Sequence, residues 1–242
     1  MTYYDAHCHL HEYSDNDIKD FLDNDLVIVG VSDDLESTVR TLKLREKFGE
    51  KVIPCVGIHP WNATKTVERD VERVIELAER FDVKCLGEIG LDLVFVPESL
   101  DKQIKIFVEF LEYVKGRDLV LNIHSPGAWS RVLQLLNRYD VAKALFHWFT
   151  GPQEVLKEIR SHDYMISINP SVKIQNKHLE IARKIDIEGF VIESDGPYNY
   201  KGLQLSPKMI FSTIKFLSEI KNMGLEELIK NIEINFKKLF IS

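Results

Sequence analysis

Eight short apolar runs, most of them separated by stretches with helical spacing, constrain this chain more than any other feature. The runs span 2–9 (TYYDAHCH), 26–32 (LVIVGVS), 52–59 (VIPCVGIH), 83–90 (VKCLGEIG), 119–124 (LVLNIH), 142–148 (AKALFHW), 164–169 (YMISIN) and 190–195 (FVIESD). Each is rich in β-branched or aromatic residues, as strands are. Between them, Val67, Val71, Val74, Ile75, Ala78 and Phe81 recur at helical intervals, as do Ile104, Phe107, Val108, Leu111 and Val114. Strands that alternate with helices form a parallel sheet, and eight such units in 242 residues predict a closed (β/α)8 TIM-type barrel. An open doubly wound sheet is the alternative.

The runs end in chemistry. His7 and His9, Glu88, His124, His147 and Asp195 each stand at the C-terminal end of a run. In a parallel barrel those ends meet at one mouth, so six nitrogen and oxygen donors converge into a pocket suited to divalent metal ions. In Asp5-Ala6-His7-Cys8-His9 a period of two puts both imidazoles on one face, where they can hold one ion from two directions. Alone, the HxH spacing is a weak signal. Glu88, in GEIGLD, follows an apolar run where an unpaired carboxylate is expensive to bury, so a cation must lie close. The glycines around it also permit close backbone packing. Asp92, just beyond, reads as a loop cap or a partner that orients a ligand. Glu193 shares the parity of Asp195 one layer deeper and reads as a buried hydrogen-bonding residue.

Length and composition predict one domain over 1–242. With 45% hydrophobic residues the chain can bury a large core, and it carries no long Gly/Ser- or Pro-rich linker and no repeat beyond the strand and helix alternation. The first run starts too early to leave room for a secretory leader, and no apolar run approaches the roughly 18 residues of a membrane span, so the expectation is a cytoplasmic protein. Cys8, Cys55 and Cys85 are odd in number and lie within runs, which predicts buried free thiols. Cys8 alternates with His7 and His9 and should face away from any metal.

DAHCHL, GIHPW, GEIGLD, Asp101-Lys102-Gln103, NIHS, FHWFTG, ESDGPY and NIEINFKKLF, in this order along essentially the whole chain, resemble the TatD family of metal-dependent deoxyribonucleases within the amidohydrolase superfamily. The resemblance implies that His7, His9 and Asp195 bind one ion, that His124 and His147 bind a second, and that Glu88 bridges them. It implies a substrate-phosphate contact for His59 of GIHPW. One departure concerns substrate binding. Family members often carry an Arg or His next to Gly after ESDGPY, followed by an Asn and Pro region. Here Tyr200-Lys201-Gly202 and then Leu205-Ser206-Pro207 follow. Lys201 offers a phosphate a point charge without the bidentate geometry of Arg.

Charge narrows the substrate. Lys and Arg total 31 against 38 acids, a net charge of −7, which argues against tight binding of long duplexes. Trp61, Trp148 and Phe149 flank candidate ligands, where an aromatic face could stack an end base. The resemblance implies hydrolysis of DNA phosphodiesters from the 3′ end with Glu88 as bridge, the charge and the aromatics add a preference for single strands, and Asp195 is expected to act as base. His59, Lys201, Trp61 and Trp148 would contact substrate, and no membrane or stable protein partner is implied. Alternatives are an aminoacyl-tRNA ester hydrolase, a small-molecule amidohydrolase, a PHP-type phosphoesterase and a non-catalytic metal-binding scaffold. In many amidohydrolases a carboxylated lysine bridges the ions, a place that the resemblance gives to Glu88 here. PHP-type members usually close with an Asp and His pair, where this chain has only ESD. The mixed donors suit Mg²⁺, Mn²⁺, Zn²⁺ or Fe²⁺.

Overall fold

A computed structural model describes residues 2–241. Eight parallel strands, β1 Tyr3–Cys8, β2 Leu26–Val31, β3 Val52–Val56, β4 Cys85–Gly90, β5 Val120–His124, β6 Lys143–Phe146, β7 Met165–Ile168 and β8 Phe190–Ile192, pair in sequence order. The ends of this sheet meet through the Asp195 N–H donating to His7 O and the His9 N–H donating to Gly196 O, both at 2.9 Å. The result is a nearly closed barrel rather than an open sheet. Several strands are shorter than the apolar runs that announce them. His9, His59, His147 and Asp195 lie one to three residues past the ends of β1, β3, β6 and β8.

Helices wrap the barrel: α1 Asp15–Asp23, α2 Leu35–Phe48, α3 Glu68–Arg80, α4 Leu100–Val114, α5 Trp129–Arg138, α6 Gln153–Ser161, α7 Asn176–Lys184, α8 Ile210–Lys221 and α9 Leu225–Phe240. Local chemistry starts them where the strands need to turn back. Asp34 caps α2, its carboxylate accepting from the Ser37 N–H while Ser37 Oγ accepts from the Asp34 N–H. A hairpin of β9 Asn199–Tyr200 and β10 Leu203–Gln204 extends the loop after β8. Among the described residues no helix is long and apolar enough to cross a membrane.

Two apolar layers result. Helix faces pack on the outside of the barrel, while Tyr4, Ala6, Val29, Val31, Cys55, Cys85, Val120, Leu145, Met165 and Val191 fill its interior. Phe236 and Leu239 of α9 join that interior cluster, with the Phe236 ring 4.5 Å from that of Tyr4. Phe236 is fully buried, so truncation to Ala would cost about 3–5 kcal/mol.

Cys55 and Cys85 are joined as a disulfide, which corrects the expectation of three free thiols. The two sit opposite each other on β3 and β4, both face the barrel interior, and their Cα atoms are 4.4 Å apart, a register that the cysteine count could not reveal. Cys8 is free and buried in the outer layer, its thiol donating to Gly196 O, away from the mouth as expected.

Strict alternation does not deliver the ligands to the mouth. Tyr4 and Ala6 point into the barrel, which would send His7 outward, but the register slips between Asp5 and Cys8, where three steps along β1 match two along β2. The same slip lies between Leu86 and Ile89 of β4, both in the outer layer, and it brings Gly87 and Glu88 inward together. Two bulges thus re-aim His7 and Glu88. Asp5 fixes the seam beside the first, Oδ1 accepting from the Ser194 N–H at 2.8 Å and the His7 N–H at 3.3 Å. Burial pushes its carboxyl up to about 8 despite those bonds.

Candidate metal centre

Glu88 stands in the middle of the mouth with its two oxygens facing two different groups. Oε2 is 3.2 Å from His7 Nε2 and 3.4 Å from His9 Nε2, and Asp195 Oδ1 lies 3.5 and 3.6 Å from the same nitrogens. Oε1 is 2.6 Å from His124 Nδ1, 3.0 Å from His147 Nε2 and 3.4 Å from His59 Nε2. The six residues singled out from strand ends therefore converge. Sets of three donors, His7 with His9 and Asp195, and His59 with Glu88 and His124, each lie within 4.8 Å.

Glycines make room for this arrangement. A Cβ on Gly87 would stand 2.6 Å from Asn122 Cβ, and one on Gly90, at φ +142, would stand 2.0 Å from His124 O. Both positions flanking Glu88 therefore exclude a side chain.

Outer partners fix which nitrogen each imidazole offers. Asn122 donates Nδ2–H to Ala6 O at 3.0 Å, so its Oδ1 accepts from His7 Nδ1–H at 2.9 Å and Nε2 faces the centre. His124 is turned the other way, with Nε2 held 2.9 Å from Asp92 Oδ2 and Nδ1 directed inward. The Nδ1 atoms of His9 and His147 face Asp33 Oδ1 at 3.1 Å and Glu193 Oε1 at 3.5 Å. His59 differs. Its Nδ1 accepts from the Trp61 N–H at 3.1 Å, so in the neutral ring Nε2 carries the proton and points into the centre as a donor.

Electrostatics agree with a cation site. Burial alone would raise the Glu88 pKa, yet His147, His59, His7 and His124 hold it well below the usual carboxylate range. Burial opposes charge on His9, His124 and His147, but Asp33 raises the first and Glu88 the other two. Burial keeps His59 below its ordinary value. His124 holds Asp92 at about 2 against the effect of burial. His7 Nε2 and Glu88 Oε2 are buried without a hydrogen-bond partner, orphaned polar atoms aimed at the space between them. Imidazoles around a shared carboxylate, each held from behind, fit divalent ions that displace the protons those carboxylates hold on them.

Around the centre the expectations divide. Asp92 is both cap and orienting partner: Oδ1 accepts from the Val94 and Phe95 N–H groups, and Oδ2 accepts from Trp61 Nε1–H at 2.7 Å. Glu193 is buried as expected and accepts from the Trp148 N–H at 3.0 Å. Trp61, 41% exposed, and the half-buried Trp148 stand at the mouth. Phe149 does not. It is fully buried 5.9 Å from the Trp129 ring, tucked against the chain at Gly151, which corrects its placement at the rim. Lys201 stands apart at the exposed turn between β9 and β10, its Nζ 5.3 Å from the Tyr200 ring centre. Sequence reasoning gave no role to Asn122 or Asp33. Asn122 shares the parity of His124, and Asp33 follows β2 on its inward parity, which was the available signal.

A barrel with this donor set at the C-terminal ends of its strands defines a metal-dependent hydrolase. A family model described as TatD related DNase matches residues 4–241, and the chain belongs to that family. It is 28% identical to an uncharacterized metal-dependent hydrolase of Methanocaldococcus jannaschii, over 99% of this chain and 97% of the relative. It is 26% identical to the human deoxyribonuclease TATDN3, over 98% of this chain and 93% of that protein. Among solved structures, the TatD homologue YJJV of Escherichia coli K12 shares the fold with a TM-score of 0.89 at 22% identity, covering 99% of this chain and 98% of the other.

Proposed function

We propose that this chain hydrolyses phosphodiester bonds of single-stranded DNA, removing nucleotides from the 3′ end. The observation that carries the reading is Glu88 with one oxygen toward each donor group, so that this carboxylate would be shared by two bound ions. His7, His9 and Asp195 would hold one ion, His124 and His147 the other. When bound, such ions supply Lewis acidity and lower the pKa of water.

The protein groups do the rest. Asp195 takes the proton of the water that attacks phosphorus, from a position where Oδ1 already faces His7 and His9. His59 donates its inward Nε2–H to a phosphoryl oxygen, which suits a neutral ring. Lys201, on its exposed turn, offers charge to a phosphate further along the strand, and Trp61 and Trp148 offer ring faces at the mouth. The net charge of −7 disfavours long duplexes and supports strand ends. The 3′ polarity comes from the family resemblance.

The test is incubation of metal-reconstituted protein with end-labelled single-stranded and duplex oligonucleotides, and with aminoacyl-tRNA. A ladder shortening from the 3′ end is expected, abolished by chelator. Asp195→Asn should lower kcat by about 10²-fold or more while the fold persists. Nicking of closed circles with no ladder, or cleavage of the aminoacyl ester alone, would overturn the reading.

A further inference from the structure

We infer that the mouth carries two aromatic lips on opposite sides of the centre, each stacking one of the two nucleobases that flank the scissile linkage. The inference rests on the phosphodiester reading above and specifies its substrate as an unpaired dinucleotide unit at a strand end.

The first lip is built by the loops after β3 and β4. Trp61, Val94 and Phe95 are 41%, 58% and 58% exposed, and the Trp61 and Phe95 rings are 5.4 Å apart. The Trp61 indole is locked by its bond to Asp92, and its ring lies 6.3 Å from that of His124. The loops after β6 and β8 build the second. Trp148 follows His147 directly and packs edge-on against Tyr198 at 5.9 Å and Tyr200 at 5.1 Å. Its indole N–H donates to Gln175 Oε1 at 2.7 Å, while the Tyr198 N–H donates to Asp195 O. The strand order separates β3 and β4 from β6 and β8 around the barrel, so the lips face each other across the ligands.

Three physical features point to nucleobases. Exposed rings held by hydrogen bonds lose little freedom when a flat group stacks on them, and contiguous exposed apolar surface marks a binding site. Trp148 sits at φ +42, a left-handed conformation costly for a bulky residue, kept there by the Ser167 hydroxyl and Glu193 accepting from its N–H. The net charge of −7 disfavours phosphate contacts along a long strand, so stacking at the mouth adds affinity, and only unpaired bases present free faces.

The test uses Phe95→Ala and Tyr198→Ala, both at exposed positions, 58% and 38%. Substrates are single-stranded pentathymidylate and two versions with an abasic residue on one side or the other of the cleaved linkage. Readouts are kcat/KM of metal-reconstituted protein and dissociation constants from fluorescence anisotropy of the ion-free protein. In wild type, removal of either base should weaken both readouts by about tenfold. Each variant should show a loss of about that size on the intact strand and become indifferent to removal of one base, a different base in each variant. If both variants respond to the abasic strands as wild type does, the lips are wrong although the nuclease reading stands. If wild type cleaves none of these strands, the nuclease reading fails and the lips fail with it.

Discussion

Replacement of Asn122 by Ala tests whether the centre is held from behind. Asn122 is fully buried and makes two hydrogen bonds, one to Ala6 O and one from His7 Nδ1–H. Ala leaves both partners buried and unsatisfied, at about 1–3 kcal/mol each, so a loss of about 2–6 kcal/mol is expected. For a chain of this size each kcal/mol lowers the melting temperature by about 2–4 °C, which puts the shift at about 4–24 °C. The functional effect is separate. His7 is no longer fixed in tautomer and ring orientation, which for an outer partner of a ligand weakens metal binding by about 10- to 100-fold. The loss should fall on the ion proposed for His7, His9 and Asp195, because His124 and His147 keep their own partners, Asp92 and Glu193. Calorimetric unfolding gives the first number, and competition with a chromogenic chelator gives the second for each ion. A melting temperature that falls while both ion affinities stay within a factor of about three of wild type would refute the positioning role.

Two other outcomes follow from the same geometry. Asp33 and Glu88 hold His9 and His147 protonated well above the ordinary imidazole range, so near neutral pH an entering ion must displace protons. Ion affinity should then rise with pH and fall toward acid, and titration calorimetry in Pipes and in Tris should report release of about one or more protons at pH 7, whereas heats independent of the buffer would contradict this. Gly90→Ala places a Cβ 2.0 Å from His124 O at a φ of +142, and the strain and displacement together should cost about 3–5 kcal/mol and weaken the ion beside His124. A variant with wild-type melting temperature would show that the β4–β5 contact is looser than described.

The barrel was legible because its strands are buried on both faces and announce themselves as unbroken apolar runs. The six donors were legible for a related reason, since a polar residue at the end of such a run has to be explained by its neighbours across the mouth. What escaped depended on register. His7 and His9 share one face, as their spacing predicts, but that face turns inward only through a bulge that nothing in YYDAHC marks. The Cys55–Cys85 disulfide likewise depends on how β3 and β4 align, and Asn122 acquires its role only because β5 faces β1 across the interior. Phe149 follows His147 and Trp148 in sequence, which predicts a place at the rim. The chain turns at Trp148, φ +42, and sends the next ring into the core.

The proposed role of Glu88 is to bridge two ions. Anomalous diffraction from crystals soaked in Mn²⁺ tests it directly. Two peaks are predicted, one among His7, His9, Asp195 and Glu88 Oε2, the other among His124, His147 and Glu88 Oε1, and Glu88→Gln should weaken both. A single peak, or two peaks that do not share Glu88, would contradict the account.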